Sequence, residues 1–582
     1  MINRCAILHK PLSEYAFMNS ETSLTIRLRA ALNNLQKCTL YYADRMQPSE
    51  PLLFTAVPME LAHSDLYFSY FEATFASLHR RVCYYFLLDS GDEQLIFYDG
   101  NFYKELATDR RELYQFPYLR REEVSTVPEW FKHAVVYNIF PDSFASSKAN
   151  LHVQATELAD ERTGQVLHTR LGGNLRGIIE NIDYIKSLGF NCLYLNPIFT
   201  AAEYHRYDLL DYFHVSPNLG TDAEFKELVV ALHARDMHII IDGVFNHSSW
   251  YFFAFNDVVE NGENSRYKDW YYDLKFPVKR PENGEKPSYA SFAYEPKMPK
   301  LNTSNPEVRD YFLRVCVYWL EEFDVDGWRL DVANEVDKAF WQAFKNRARS
   351  VKQDAVLIGE IWESSERWLQ GDMFDSVMNY AFRNHCRDFF ALGKFNPTEF
   401  DARISQMLMR YPTGIQLGQL NLLDSHDAPR FLSYCDLDLR KWRQAEAYIF
   451  TSPGVPCVFY GDELGVSGYE ELDFRRAMPW QNVYFDECDF IKQLADLRKE
   501  QVVIYGNYRT LLVTDNLYAF KRELGEEKLV VIFNLSETEI DLRQYPKFDN
   551  LNLLDKEATL AKAYVKATAR LGARGFAAFL LK

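Results

Sequence analysis

Four short segments place carboxylates where apolar runs end, three of them together with histidine or arginine: DGVFNH (Asp242–His247), GWRLDVANE (Gly327–Glu335), GEIWE (Gly359–Glu363) and DSHD (Asp424–Asp427). In the second, Arg329 and Asp331 stand two apart in strand-like surroundings, so alternation puts both side chains on one side. An isolated Arg-x-Asp is more often a structural ion pair than a site. A structural pair needs one partner. Here at least three carboxylates, two or three histidines and an arginine recur at successive strand ends. The chemistry open to such a set is hydrolysis of a glycosidic bond. One carboxylic acid protonates the leaving oxygen while a nearby carboxylate stabilises the oxocarbenium-like centre. The two groups need different proton affinities. Arg329 favours the ionised form of Asp331, and desolvation behind an apolar strand favours a protonated Glu360.

Something must bring these strand ends together. Eight short apolar strands are expected between residues 125 and 500: HAVVYNIF, NCLYLNPIF, MHIIIDGVF, VDGWRL, AVLIGEIW, FDSVMNY, LNLLDSHD and VPCVFYGDE. Helical patterns such as LRGIIENIDYIKSLG and AEFKELVVALHARD lie between them, each with one apolar face to bury. Eight strand–helix units predict a (β/α)8 TIM barrel, whose active site lies at the C-terminal ends of its strands. An insertion at about 248–300, rich in Tyr, Trp, Asn and Pro, follows the third strand. Residues 1–124 alternate as SLTIRLRA, KCTLYYAD, DLYFSYFEA and RRVCYYFLLDS do, which predicts an N-terminal antiparallel β-sandwich. REEVSTVP, ending at Pro128, reads as the linker to the barrel, and residues 501–582 return to strands as a C-terminal antiparallel β-domain.

A chain of 582 residues is too long for one core, in line with this multidomain reading. The formal net charge of −17 argues against nucleic acid, whose binding neutralises phosphates with Lys and Arg. Aromatic residues reach 15%, a surplus that suits stacking against the C–H faces of sugars. No run of about 18 apolar residues predicts a membrane span, and the N-terminal MINRCAILHK carries no apolar signal core. Nine scattered cysteines with no CxxC spacing point to reduced thiols, hence to a cytoplasmic protein.

Taken in order and spacing, DGVFNH, GWRLDVANE, GEIWE and LLDSHD resemble the conserved regions of the alpha-amylase family of glycoside hydrolases, over nearly the whole chain. The N-terminal β-domain is similar to the starch-binding-type module of the neopullulanase, cyclomaltodextrinase and maltogenic amylase group, and MPKLN (Met298–Asn302) to that group's marker. The resemblance implies Asp331 as a nucleophile forming a glycosyl-enzyme, Glu360 as acid and then base, and Asp427 as a third carboxylate that binds sugar hydroxyls. It implies His247 and His426 on the sugar at the cleavage point, Arg329 holding Asp331, and Tyr207 stacked under that sugar with His205 beside it. Trp362 and Glu335 would line the acceptor side, and Glu471 and Arg475, in EELDFRR, would bind one sugar further out. Asp242 and Asn246 are expected as supports. Glu363 stands where the group commonly has His, and Glu471 where Asp is usual, which bears on acceptor and product preference.

The reaction so implied is retaining hydrolysis of α-1,4 bonds in cyclodextrins, maltodextrins or pullulan, with some transglycosylation, by a homodimer built through the N-terminal domain. An α-1,6-glucosidase of the same fold is the alternative, although its relatives resemble QPDLN where this chain has MPKLN. A non-catalytic glucan-binding protein has no chemical reason to keep Asp331, Glu360 and Asp427 together. Relatives commonly hold Ca²⁺ near the first barrel strand. Here the corresponding loop, FASSKAN (Phe144–Asn150), has no carboxylate and carries Lys148, and neutral Asn174 follows Gly172 and Gly173. Calcium wants six to eight oxygens, several from carboxylates. No metal and no other cofactor is therefore expected.

Overall fold

The computed structural model describes the chain except for residues 78, 108, 125–126, 147–155, 160–165, 282–284, 483–485 and 554–555, with backbone alone at 156–159, 166–170 and 482. The described residues form two compact units: residues 128–392 with 418–504, and residues 1–127 with 393–417 and 505–582.

In the first unit the eight expected strands form one parallel sheet. They are β1 (Val136–Ile139), β2 (Cys192–Leu195), β3 (His238–Gly243), β4 (Gly327–Leu330), β5 (Val356–Gly359), β6 (Ser376–Val377), β7 (Leu420–Leu422) and β8 (Val455–Phe459). Their order is β6-β5-β4-β3-β2-β1-β8-β7, and a parallel bridge between Met378 and Leu420 joins the two ends into a barrel. Nearly every strand residue is buried, as a parallel sheet covered by helices requires. Gly327 sets the β4–β5 contact: it pairs with Val356, and a Cβ there would stand 2.4 Å from Val356 Cγ1.

The helices follow from local signals. Thr221 and Glu224 form a reciprocal capping box at the start of α1 (Asp222–His233), which buries Phe225, Leu228, Val229 and Leu232 on one stripe. α2 (Pro306–Glu322) starts with Pro306 after the Asn305 cap. α3 (Lys338–Val351) is capped by Asp337 and buries Phe340, Trp341, Phe344 and Ala348. The helical stretch expected at LRGIIENIDYIKSLG is two short helices, Leu175–Glu180 and Ile182–Ser187, parted at Asn181.

The second unit holds the two β-domains. Near the N-terminus, a four-stranded sheet (Ala16–Ser20, Ser23–Ala31, Phe68–Ala76, Glu60–Ser64) accompanies a six-stranded one that includes Lys37–Asp44 and Val82–Asp89. Leu24, Ile26, Leu28, Leu40, Phe86 and Leu88 make their shared core. Near the C-terminus, Asn507–Thr514, Leu517–Leu524, Glu527–Asn534 and Arg570–Leu581 run antiparallel. Two-residue alternation would turn Arg27 of SLTIRLRA to water, yet Arg27 is buried. Its guanidinium pairs with Glu72 at 2.8 Å and donates to the Tyr411 carbonyl at 2.8 Å. Tyr411 belongs to residues 393–417, which sit in sequence inside the expected barrel segment and group in space with the β-domains. In the same segment Asp401 accepts hydrogen bonds from Thr510 and Tyr518.

Candidate active site

The site is built around one guanidinium. Arg329, on β4, has no exposed surface. Its Nη1 lies 2.9 Å from Asp242 Oδ1 and 2.8 Å from Asp331 Oδ1, while Nη2 lies 3.0 Å from Glu360 Oε2 and 3.7 Å from Asp427 Oδ2. Carboxylates from the ends of β3, β4, β5 and β7 thus converge on a single cation. Arg329 and Asp331 do share one side of the strand, as their spacing predicts.

Asp242 is fully engaged. It accepts from Tyr194 and Tyr207 hydroxyls at 3.0 and 2.9 Å as well as from Arg329, so it braces the cluster. Glu360 accepts the Val332 N–H at 2.8 Å on Oε2 and the Trp362 indole N–H at 3.0 Å on Oε1. Asp427 lies 2.8 Å from His426 Nε2 and 3.3 Å from Arg475 Nη2. Burial alone would raise Asp427, but the His426 ring, Arg329 and Arg475 hold its carboxyl well below the usual range.

Asp331 goes the other way. Burial first, and the negative charge of Glu360 second, push it well above the usual carboxylate range, against the pull of Arg329. The sequence predicts the opposite direction, because Arg329 is the only neighbour it shows beside Asp331. In three dimensions that guanidinium is shared among four carboxylates, and the low-dielectric pocket penalises the charge that remains.

The other expected residues surround this centre. Tyr207 is buried, with its ring parallel to that of His426 at 5.6 Å and its hydroxyl against His426 Nε2. His205 lies beside it and accepts the Tyr207 N–H at 3.0 Å. His247 is buried, donates from Nε2 to the Tyr207 carbonyl at 3.1 Å, and is pulled down by burial to about 3, so it is neutral. Trp362 is half exposed and its ring stacks on Tyr380 at 3.5 Å. Glu335 is exposed and 3.2 Å from Lys300 Nζ. Glu471 is exposed as well and contacts Arg475 and the Tyr204 hydroxyl. Arg475 is buried, donates to the His426 carbonyl at 2.7 Å and to Tyr204 at 2.9 Å, and touches Asp427.

Two buried residues at the centre escape a motif reading. Asn196, one residue past β2, donates to His426 Nδ1 at 2.8 Å and to the Tyr194 and Tyr207 hydroxyls. An amide in the apolar run LYLNPIF was the signal available. Because Asn196 donates to Nδ1, the ring N–H of His426 stands on Nε2, facing Asp427. Tyr380 lies under Trp362 and is buried.

The calcium expectation falls partly outside the described residues, since 147–150 are not described. Within them, Asn174 spends its side-chain oxygen on the Gly177 N–H at 2.8 Å, and Asp142 accepts the Leu171 N–H at 2.8 Å. Among the described residues no group of three or more His, Cys, Asp and Glu could hold a metal ion, and no helix is long and apolar enough to cross a membrane.

Residues 138–502 match the family model for the alpha amylase catalytic domain, and residues 1–120 the one for the alpha amylase N-terminal ig-like domain. The chain belongs to the alpha-amylase family. It is 40% identical to neopullulanase 2 of Thermoactinomyces vulgaris over 94% of each chain. It is 37% identical to the cyclomaltodextrinase of Thermoanaerobacter pseudethanolicus, over 91% of this chain and 92% of that one. Among solved structures, a cyclomaltodextrinase matches with a TM-score of 0.86 at 33% identity, covering 93% of this chain and 92% of the other. The protein is therefore an alpha-amylase-family glycoside hydrolase. The carboxylate cluster on Arg329 lies at the strand ends where a barrel of this family carries its chemistry.

Proposed function

We propose that this enzyme is a retaining α-glucan hydrolase that cuts α-1,4-glucosidic bonds in cyclodextrins, maltodextrins or pullulan and transfers some glycosyl groups to sugar acceptors. The observation that carries the reading is the single buried guanidinium of Arg329, within 3.0 Å of both Asp331 and Glu360. In this reading Asp331 attacks the anomeric carbon while Glu360 protonates the leaving oxygen, and Glu360 then takes a proton from the water that releases the glycosyl group. Cleavage needs the proton of this pair on Glu360 and the charge on Asp331. Burial and Glu360 raise Asp331, so in this reading a glycosidic oxygen hydrogen-bonded to Glu360 favours the proton on that side, and Arg329 stabilises the Asp331 anion. Asp427, held ionised by His426 and the two arginines, is placed to accept hydrogen bonds from sugar hydroxyls. His205, Tyr207, His247 and His426 would surround the same sugar. Glu335 and the exposed part of Trp362 would face the acceptor, with Glu471 and Arg475 on the far side. The names of the similar enzymes, neopullulanase, cyclomaltodextrinase and intracellular maltogenic amylase, support the substrate class and a cytoplasmic location.

The test is to follow early hydrolysis by NMR on β-cyclodextrin, pullulan, starch and panose. Retention releases the α-anomer first. The β-anomer, or cleavage confined to the α-1,6 bond of panose, would point to another mechanism or bond. We also propose a homodimer, to be checked by light scattering of the purified chain.

Activity is expected to need no metal. In excess EDTA, turnover and Tm should both stay unchanged, because Asn174 is neutral and already committed to Gly177. A Tm that drops sharply with chelator, restored by Ca²⁺, would overturn this.

A further inference from the structure

Lys300, the third residue of MPKLN, is sewn by its backbone to the segment after β3. It bridges His247 in antiparallel fashion, the Ser248 N–H donates to the Pro299 carbonyl at 3.1 Å, and the Leu301 N–H to the Asn246 carbonyl at 3.0 Å. From that anchor its ammonium reaches across to three oxygens. It donates to Asn246 Oδ1, to the Glu335 carbonyl at 3.1 Å and to Glu335 Oε2 at 3.2 Å. The first belongs to the β3 end and the other two to the turn after β4.

That turn is strained. Val332 has φ 45° and ψ 43°, a left-handed conformation rare for a β-branched residue. Such a residue persists only where its surroundings over-determine it. Val332 N–H donates to Glu360 Oε2 at 2.8 Å and Ala333 N–H to the Glu360 carbonyl at 3.2 Å. On the other side, the carbonyls of the single helical turn Ala333–Glu335 need donors. Trp341 Nε1 serves Ala333 at 2.8 Å, and Lys300 serves Glu335. The strained residue lies directly after Asp331 and directly against Glu360.

We infer that Lys300 is a positioning residue for the reaction: its ammonium clamps the Val332–Glu335 turn to Asn246 and so fixes where Asp331 and Glu360 stand. This rests on the roles given above to those two carboxylates. Lys300 itself touches neither. An exposed Lys–Glu pair would contribute little, but here the side chain is four-fifths buried and two of its three acceptors are not ionised.

The test compares Lys300→Met and Lys300→Ala with wild type on a soluble maltooligosaccharide. Displacing a reacting group by about 1 Å can cost on the order of 10²-fold, so kcat should fall by about that factor in both variants while KM moves only a few-fold. Far-UV circular dichroism and Tm establish that the variants are folded. Propylammonium chloride supplies the atoms missing from Lys300→Ala and should restore much of kcat, whereas sodium chloride at equal ionic strength should not. A Lys300→Met enzyme within about threefold of wild-type kcat overturns the clamp, and so does a loss matched by KM with no propylammonium rescue. Asp331→Asn serves as the control: if it stays active, the assignment beneath the clamp has failed; if it is inactive and unrescued while Lys300→Met is normal, only the clamp has.

Discussion

Asp331→Asn and Glu360→Gln are each expected to lower turnover by roughly 10³-fold or more, since one removes the nucleophile and the other the proton donor. Neither should unfold the protein, because the replacements keep shape and lie in a pocket shaped by Arg329, Asp242 and Val332. The stability of the Asp331→Asn variant should answer to pH differently from that of wild type. Asp331 is pushed up by burial and by Glu360, so the folded state prefers its protonated form. Stability linked to such a group is complete below its unfolded pKa of about 3.9 and is lost as pH rises through the higher folded value. Asn cannot ionise. The Asp331→Asn protein should therefore gain Tm relative to wild type at pH 8 and gain less at pH 5. Turnover within tenfold of wild type for either variant would remove the proposed mechanism, and a pH-independent Tm difference would show that Asp331 is not the strained charge.

Arg329→Met should cost roughly 3–5 kcal/mol of stability at neutral pH, the range for removing one partner from a buried ion cluster. The guanidinium has no exposed surface and stands within 3.0 Å of Asp242, Asp331 and Glu360. Methionine fills part of the volume but leaves like charges facing one another in a largely buried pocket. The folded state can relieve this only by taking up protons, so Asp331, already raised, would rise further. The deficit should then be smallest near pH 5 and approach its full size by pH 8. Urea unfolding at both values measures it. A variant as stable as wild type at pH 8 would mean that water or other donors already satisfy these carboxylates. Activity should be lost in either case, since Asp331 loses the cation that stabilises its anion.

Much of the architecture was legible in the residues themselves. Eight apolar runs marked the eight barrel strands, because a parallel strand is buried on both faces, and five of them lead into the polar residues that a barrel carries at its strand ends. The two-residue spacing of Arg329 and Asp331 was enough to put them on one side, since strand geometry is local. Convergence of the motifs could be anticipated for the same reason, as each was tied to a strand end. What depended on distance along the chain was decided only in the folded protein. SLTIRLRA could not show that Arg27 is buried, because its partner Tyr411 is 384 residues away. By alternation the pattern DVDGWRLD put one charge, Arg329, on Asp331's side of the strand, whereas Asp331 answers to the whole cluster, with Glu360 contributed by another strand. Lys300 read as an ordinary lysine of a marker motif until β3 and β4 brought Asn246 and Glu335 to its ammonium. Identity and local geometry are written in the sequence, but proton affinity and strain are set by the fields and contacts of residues far apart in the chain, which exist only once the barrel has closed.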